Sequence, residues 1–144
     1  MKGIIHMMID DTDRAILEWL EKDARMQWKE IGEKVHLTGQ AVAGRIRRME
    51  EAGIIEGFTI KLNNGKIGKT LTAFITIFMK TTNHSSFQLF LKEKEEIEEA
   101  HRVSGEGCYW LKAAFGSEQE LNRFLDELLL YGNYRVNLSI GQIK

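Results

Sequence analysis

The sequence predicts an α+β protein built from two units of different rhythm. From Ile9 to Met49 apolar residues recur every three or four positions, the period of amphipathic helices, and Gly53 follows as the expected stop. After Gly53 the period falls to two, and from residue 70 onward strand-like and helix-like stretches alternate as β-α-β-β-α-β. The chain has 144 residues, 43% hydrophobic and 28% charged, which suits one or two small domains. Two domains of about 60–80 residues bury only modest cores, so partner subunits are expected to add stability.

Residues 10–24 read as a first helix, capped by Asp10 or Asp11, with Ile16, Leu17 and Leu20 inward. Residues 28–35 give a short second helix with Ile31 and Val35 at i, i+4, and Trp19 and Trp28 are expected in the core between these two helices. A turn, His36-Leu37-Thr38, leads into a third helix capped by Thr38 and running to about Ala52. In residues 54–62 Phe58, Ile60 and Leu62 alternate with polar residues, a strand pattern, and 63–69 reads as a hinge. The expected organisation is therefore 1–62, a hinge at 63–69, and 70–144.

The second unit opens with a strand over 70–80, apolar on one face and partly so on the other. A helix over 85–96, strands over 98–104 and 108–115, a helix opened by the box Ser117-x-x-Glu120, and a strand over 134–140 complete a ferredoxin-like order. Trp110 is expected in the interface formed by the sheet.

A single cysteine, Cys108, permits no intrachain disulfide and fits a reducing compartment. No stretch approaches the roughly 18 apolar residues of a membrane helix, and the N-terminal apolar run is too short for a signal peptide. A soluble, cytoplasmic protein is expected, with Met7 and Met8 as alternative starts. The net charge of −1 argues against indiscriminate polyanion binding, but residues 28–48 hold five bases against two acids, a local net +3.

That basic stretch contains the third helix. On a helical wheel Val42, Ile46 and Met49 share the core face, while Gln40, Gly44 and Arg47 lie opposite, with Ala41 and Arg48 at the edge. A glycine in mid-helix costs about 1 kcal/mol relative to alanine, which suits a helix that must approach a surface closely. Glutamine and arginine are the side chains that read adenine and guanine edges in a major groove. A short helix, a tight turn and a second helix with such residues near its start make a helix-turn-helix, and the period-two segment after it would be a wing. The candidate DNA-contacting residues are Lys29, Thr38, Gly39, Gln40, Ala41, Gly44, Arg45, Arg47 and Arg48. Lys29, Thr38 and Arg48 are assigned to phosphate; for Arg45 and Arg48 the competing reading is an ion pair with acids of the first helix, and for Arg45 it is the preferred one.

With these residues in place the chain resembles the leucine-responsive/asparagine regulator (Lrp/AsnC) family. The resemblance spans about residues 9–141. It rests on Ile9-Asp10, Asp13, Ile16-Leu17, Leu20 and Arg25. It continues through Ile31, Val35, Leu37-Thr38, Val42, Arg45-Ile46, Arg48-Met49-Glu50, Gly53-Ile54-Ile55, Gly57-Phe58, Lys66-Ile67-Gly68 and Val103-Ser104-Gly105. It implies a winged helix-turn-helix joined to a regulatory domain, binding to double-stranded DNA as a transcription regulator, dimers formed through the sheets, often octamers, and in many members an amino-acid effector. The chain departs from the family pattern at His36 (usually Gly), Gly39 (often Pro) and Gly44 (commonly basic). It also departs at Cys108, where an Asp would face an ammonium group, with Glu106 as a substitute. The effector candidates are Ser104, Gly105, Glu106, Gly107, Cys108 and Tyr109. Their backbone N–H groups would hold a carboxylate as a nest does, or the segment is a plain hairpin turn.

No cofactor, catalytic residue or metal site is expected: His6, His36, His84 and His101 lack ligand spacing, Cys108 reads as structural, and the acids from Glu93 to Glu99 read as a solvated helix end. The rival from another class is an enzyme like the sirohaem decarboxylases that share this two-domain build, for which His101-Arg102 is the one hint.

Overall fold

The structure, a computed structural model, describes residues 8–144; Met7, one of the alternative starts, and the stretch before it lie outside the described residues. The chain divides into two compact units between Lys61 and Leu62.

The N-terminal unit holds three helices: α1 (Asp11–Lys22), α2 (Trp28–Val35) and α3 (Gly39–Glu51). Asp10 and Asp13 close a reciprocal cap on α1: Asp13 N–H donates to Asp10 Oδ1 at 2.8 Å and Asp10 N–H to Asp13 Oδ2 at 3.3 Å. Thr38 caps α3 by accepting from Ala41 N–H at 3.1 Å. Gly53, at φ +73°, ends it, with Gly53 N–H on Glu50 O and Ile54 N–H on Met49 O. Ile16 and Leu20 from α1, Ile31 from α2, and Val42, Ile46 and Met49 from α3 form the core. Each such side chain contributes about 1.5–3 kcal/mol by burial.

The tight turn between α2 and α3 depends on two residues. His36 takes the left-handed conformation, φ 59° and ψ 41°, so that its own N–H and that of Leu37 both reach Gly32 O. Gly32 must lack a side chain, because a Cβ there would lie 2.3 Å from Leu37 O.

Two expectations fail in this unit. The strand expected over 54–62 is not formed: 56–63 is irregular, and Phe58, Ile60 and Leu62 are exposed. A strand needs a neighbouring backbone to bond with, and the described residues of this unit supply helices alone. Trp28 is not in the core either, being 47% exposed. The core covers α2 only from Ile31, whereas Trp19 packs on it and carries the Lys22 and Lys34 ammonium groups 4.5 and 4.3 Å from its ring.

The C-terminal unit begins with a 3-10 turn at Asn64–Ile67, within the stretch expected as a hinge. Then follow β1 (Leu71–Met79), α4 (His84–Glu93), β2 (Ile97–Arg102), β3 (Tyr109–Phe115), α5 (Glu118–Leu128) and β4 (Gly132–Leu138). The sheet is antiparallel throughout in the order β2-β3-β1-β4, with Ile75 opposite Leu111 and Val136. This is the expected β-α-β-β-α-β arrangement. Ala73, Ile75 and Ile77 of β1 are fully buried against Phe87 and Leu91 of α4 and Leu121, Phe124 and Leu128 of α5. Phe74 and Trp110, on the other sheet face, stack with ring centres 5.7 Å apart and remain partly exposed.

Two local readings change here. α4 stops at Glu93, so Glu98 and Glu99 of the acidic run lie on β2, where Lys112 reaches both at 3.5 and 3.9 Å. Ser117 caps α5 through Glu120 N–H, but Glu120 Oε2 accepts from Gly116 N–H at 2.8 Å, so the box is shifted by one residue.

Candidate nucleic-acid interface

Helix α3 buries Val42, Ile46 and Met49 and turns its other side outward. Gln40, Gly44 and Arg47, at i, i+4 and i+7, make one outward stripe; Ala41 and Arg48 flank it, and the four residues with side chains are exposed. A Cβ on Gly44 would meet nothing within 4 Å, so the missing side chain serves no packing inside this unit. It leaves a shallow place between Gln40 and Arg47 where another surface can come close.

At the start of the helix Gly39 has a different reason. A Cβ there would sit 3.2 Å from Lys29 Cα and N, so the first turn of α2 abuts the first residue of α3. Lys29 is exposed beside that contact, as is Thr38. The Thr38 oxygen is engaged in the cap, and its hydroxyl proton is still available to an acceptor.

Arg45 does not belong to this surface. Its Nη1 donates to both carboxylate oxygens of Asp10 at 2.8–2.9 Å and to Asp13 Oδ1 at 2.9 Å. It lies near the core boundary of α3, and the acids at the start of α1 take its charge. The bonds to Arg45 are the main cause holding the Asp10 carboxyl below the ordinary Asp value, and they push the Arg45 guanidinium up. The ion-pair reading of Arg45 therefore replaces the DNA-contact reading.

The effector candidates also separate. Ser104, Gly105 and Glu106 form an exposed turn, with Gly105 at φ +91° and Gly107 at φ +85°. A side chain at Gly107 would clash with Thr76 Cγ2 at 2.5 Å. Among the described residues no backbone carbonyl accepts from the N–H groups of Gly105 or Glu106. The Glu106 carboxylate is 3.9 Å from Arg135. Cys108 leads out of this turn, its N–H on Ile77 O at 2.7 Å and its side chain packed on the core. Tyr109 is 2% exposed and points toward α4, where its phenol oxygen meets His84 Nδ1 at 2.8 Å and Gln88 Nε2 at 3.0 Å. Tyr109 is thus a core residue rather than a face open to a ligand, because strand alternation turns it toward the helices.

His101, the hint of enzyme chemistry, is exposed on β2, 3.4 Å from Glu99 and beside the Trp110 ring, and Arg102 is exposed next to it. Among the described residues no group of His, Cys, Asp and Glu is arranged to hold a metal ion, and no helix is long and apolar enough to cross a membrane.

Comparison with known proteins matches two stretches of the chain to family models. Residues 9–50 match the AsnC-type helix-turn-helix domain and residues 72–144 the Lrp/AsnC ligand binding domain. The HTH-type transcriptional regulator LrpB of Bacillus subtilis is 49% identical over 138 residues, covering 96% of this chain and 93% of that protein. LrpA of the same organism is 38% identical, covering 94% and 100%. The solved structure of Bacillus subtilis LrpC superposes with a TM-score of 0.90 at 27% identity, over 96% of this chain and 99% of that one.

Proposed function

Since the chain belongs to the Lrp/AsnC family and is a DNA-binding transcription regulator, we propose that α3 enters a major groove with Gln40, Gly44 and Arg47 toward the bases. The observation that supports this is the exposed stripe opposite a fully buried one, with Gly44 leaving open space between two base-reading side chains. Lys29, Thr38 and Arg48 contact phosphate, while Ala41 and Gly39 allow close approach.

In this reading two copies pair through the open sheet face that carries Phe74 and Trp110, and their α3 helices occupy successive major grooves of a pseudo-palindromic site. Larger assemblies such as an octamer follow if the helical surfaces also associate. The turn at residues 104–107 holds the carboxylate of an amino-acid effector on the N–H groups of Gly105 and Glu106, from which no backbone carbonyl among the described residues accepts. The protein acts in the cytoplasm by occupying DNA, without catalysis.

The test is binding of the purified protein to its own upstream DNA and to random DNA of equal length, at two salt concentrations, with and without the twenty amino acids. A selective shift that weakens steeply with salt is expected. Equal retention of both DNAs contradicts base reading. A selective shift indifferent to the amino acids reduces residues 104–107 to a structural turn.

A further inference from the structure

Within the helix-turn-helix, neither the core nor the base-reading stripe explains the exposed Trp28 side chain. Trp28 opens α2 on the same stripe as Ile31, Gly32 and Val35, at i, i+3, i+4 and i+7. Ile31 and Gly32 are buried, yet Trp28 is 47% exposed, so the apolar stripe runs out of the core at its N-terminal end. That end is where α2 abuts α3, since the next residue, Lys29, sits 3.2 Å from a Cβ placed on Gly39. Trp28 therefore sits in the first turn of α2, the turn that abuts the start of α3, where Thr38, Gln40 and Ala41 are exposed.

We propose that Trp28 is a contact to the DNA backbone that fixes the depth of α3 in the groove. This rests on the base-reading assignment of α3. In a helix-turn-helix the first of the two helices crosses the sugar-phosphate backbone while the start of the second meets base edges. The residue at the mouth of α2 then faces a sugar and its phosphate. An indole suits that place: it is flat, rigid and broadly apolar, and it carries one N–H donor and no acceptor. Its ring covers deoxyribose carbons and Nε1–H donates to a phosphate oxygen. Lys29 supplies charge at the same backbone, and Trp28 supplies shape.

The chemistry sets how Trp28 differs from Arg47. Backbone contacts position a protein without carrying sequence information, so Trp28 contributes affinity for any duplex and little selectivity. It is neutral and displaces no counterion, so the salt dependence stays with Lys29, Arg47 and Arg48.

The experiment uses the full chain as wild type, Trp28→Ala and Trp28→Phe, with the upstream duplex and a random duplex at two salt concentrations. Trp28→Ala is expected to weaken both duplexes by about five- to tenfold, the size of one hydrogen bond, with their ratio and the salt slope unchanged. Trp28→Phe recovers part of the loss. The emission lost in Trp28→Phe reports this indole, and its quenching by acrylamide should fall when duplex is added. A folded Trp28→Ala protein with wild-type affinity for both duplexes overturns the proposal. So does quenching that duplex leaves unchanged, a readout that holds even if the alanine variant fails to fold. If wild type binds and the variants bind alike, only Trp28 is reassigned, to a protein partner or to bare surface. If wild type binds no duplex, the base-reading assignment falls with it.

Discussion

Arg45 Nη1 lies 2.9 Å from Asp13 Oδ1, a carboxylate whose side chain is only 2% exposed, and 2.8 Å from Asp10 Oδ2. One guanidinium nitrogen thus ties α3 to both halves of the α1 cap. Removing the cation would leave the Asp13 carboxylate buried without its charge partner. Arg45→Met is expected to destabilise the N-terminal unit by about 3 kcal/mol and to leave the C-terminal unit untouched. Hydrogen exchange at the Val42 and Ile46 amides, compared with that at Ile75 and Leu111, measures both.

The same network fixes a pH dependence. The Arg45 hydrogen bond first, then the Asp13 N–H, hold the Asp10 carboxyl below its ordinary value of 3.8. A group depressed in the folded state contributes stability above its unfolded pKa and loses it as pH falls through the folded one. This contribution is therefore present above about pH 4 and disappears on further acidification. Asparagine caps a helix as well as aspartate does, so Asp10→Asn removes the charge and keeps the cap. The melting difference between wild type and Asp10→Asn should shrink as pH drops from 6 to 3; a difference constant over that range contradicts the ion pair.

The turn between α2 and α3 gives two opposite outcomes. Gly32→Ala puts a Cβ 2.3 Å from Leu37 O, a backbone atom that cannot swing aside. It should cost about 2–3 kcal/mol and loosen the orientation of α3. His36→Gly relieves a non-glycine residue at φ 59° and should stabilise by about 0.5–1 kcal/mol. Urea unfolding of the two variants beside wild type checks both signs.

Much of this was legible in the sequence because local rules and tertiary packing agree. The Val42-Ile46-Met49 stripe, the Thr38 cap and the Gly53 stop define α3, and the alternation of Ala73, Ile75 and Ile77 defines β1. The failures share a cause: each depends on a neighbour distant in sequence. The period of 58–62 gives strand chemistry but names no partner strand. Trp28 lies on the apolar stripe of α2, and only the extent of the core shows that it is left out. Arg45 differs from Arg47 by two positions, and Asp10, 35 residues away, claims one and not the other. Tyr109 sits beside a glycine-rich turn, yet His84 and Gln88 hold its hydroxyl inside. Gly32 was missed altogether; its signal, a small residue four positions before the turn residue His36, becomes visible once the turn geometry is known.

The central claim is that the outward stripe of α3 reads bases. The measurement closest to it is the affinity of Arg47→Ala for the upstream duplex and for random duplex, each relative to wild type. Arg47 is exposed and distant from the core, so the variant should melt like wild type. If Arg47 reads a guanine, the selectivity ratio should fall by about tenfold to a hundredfold, a loss of about 1–3 kcal/mol, with a smaller loss on random DNA. A variant with wild-type affinity and an unchanged ratio would contradict the account and move the recognition surface away from Gln40, Gly44 and Arg47.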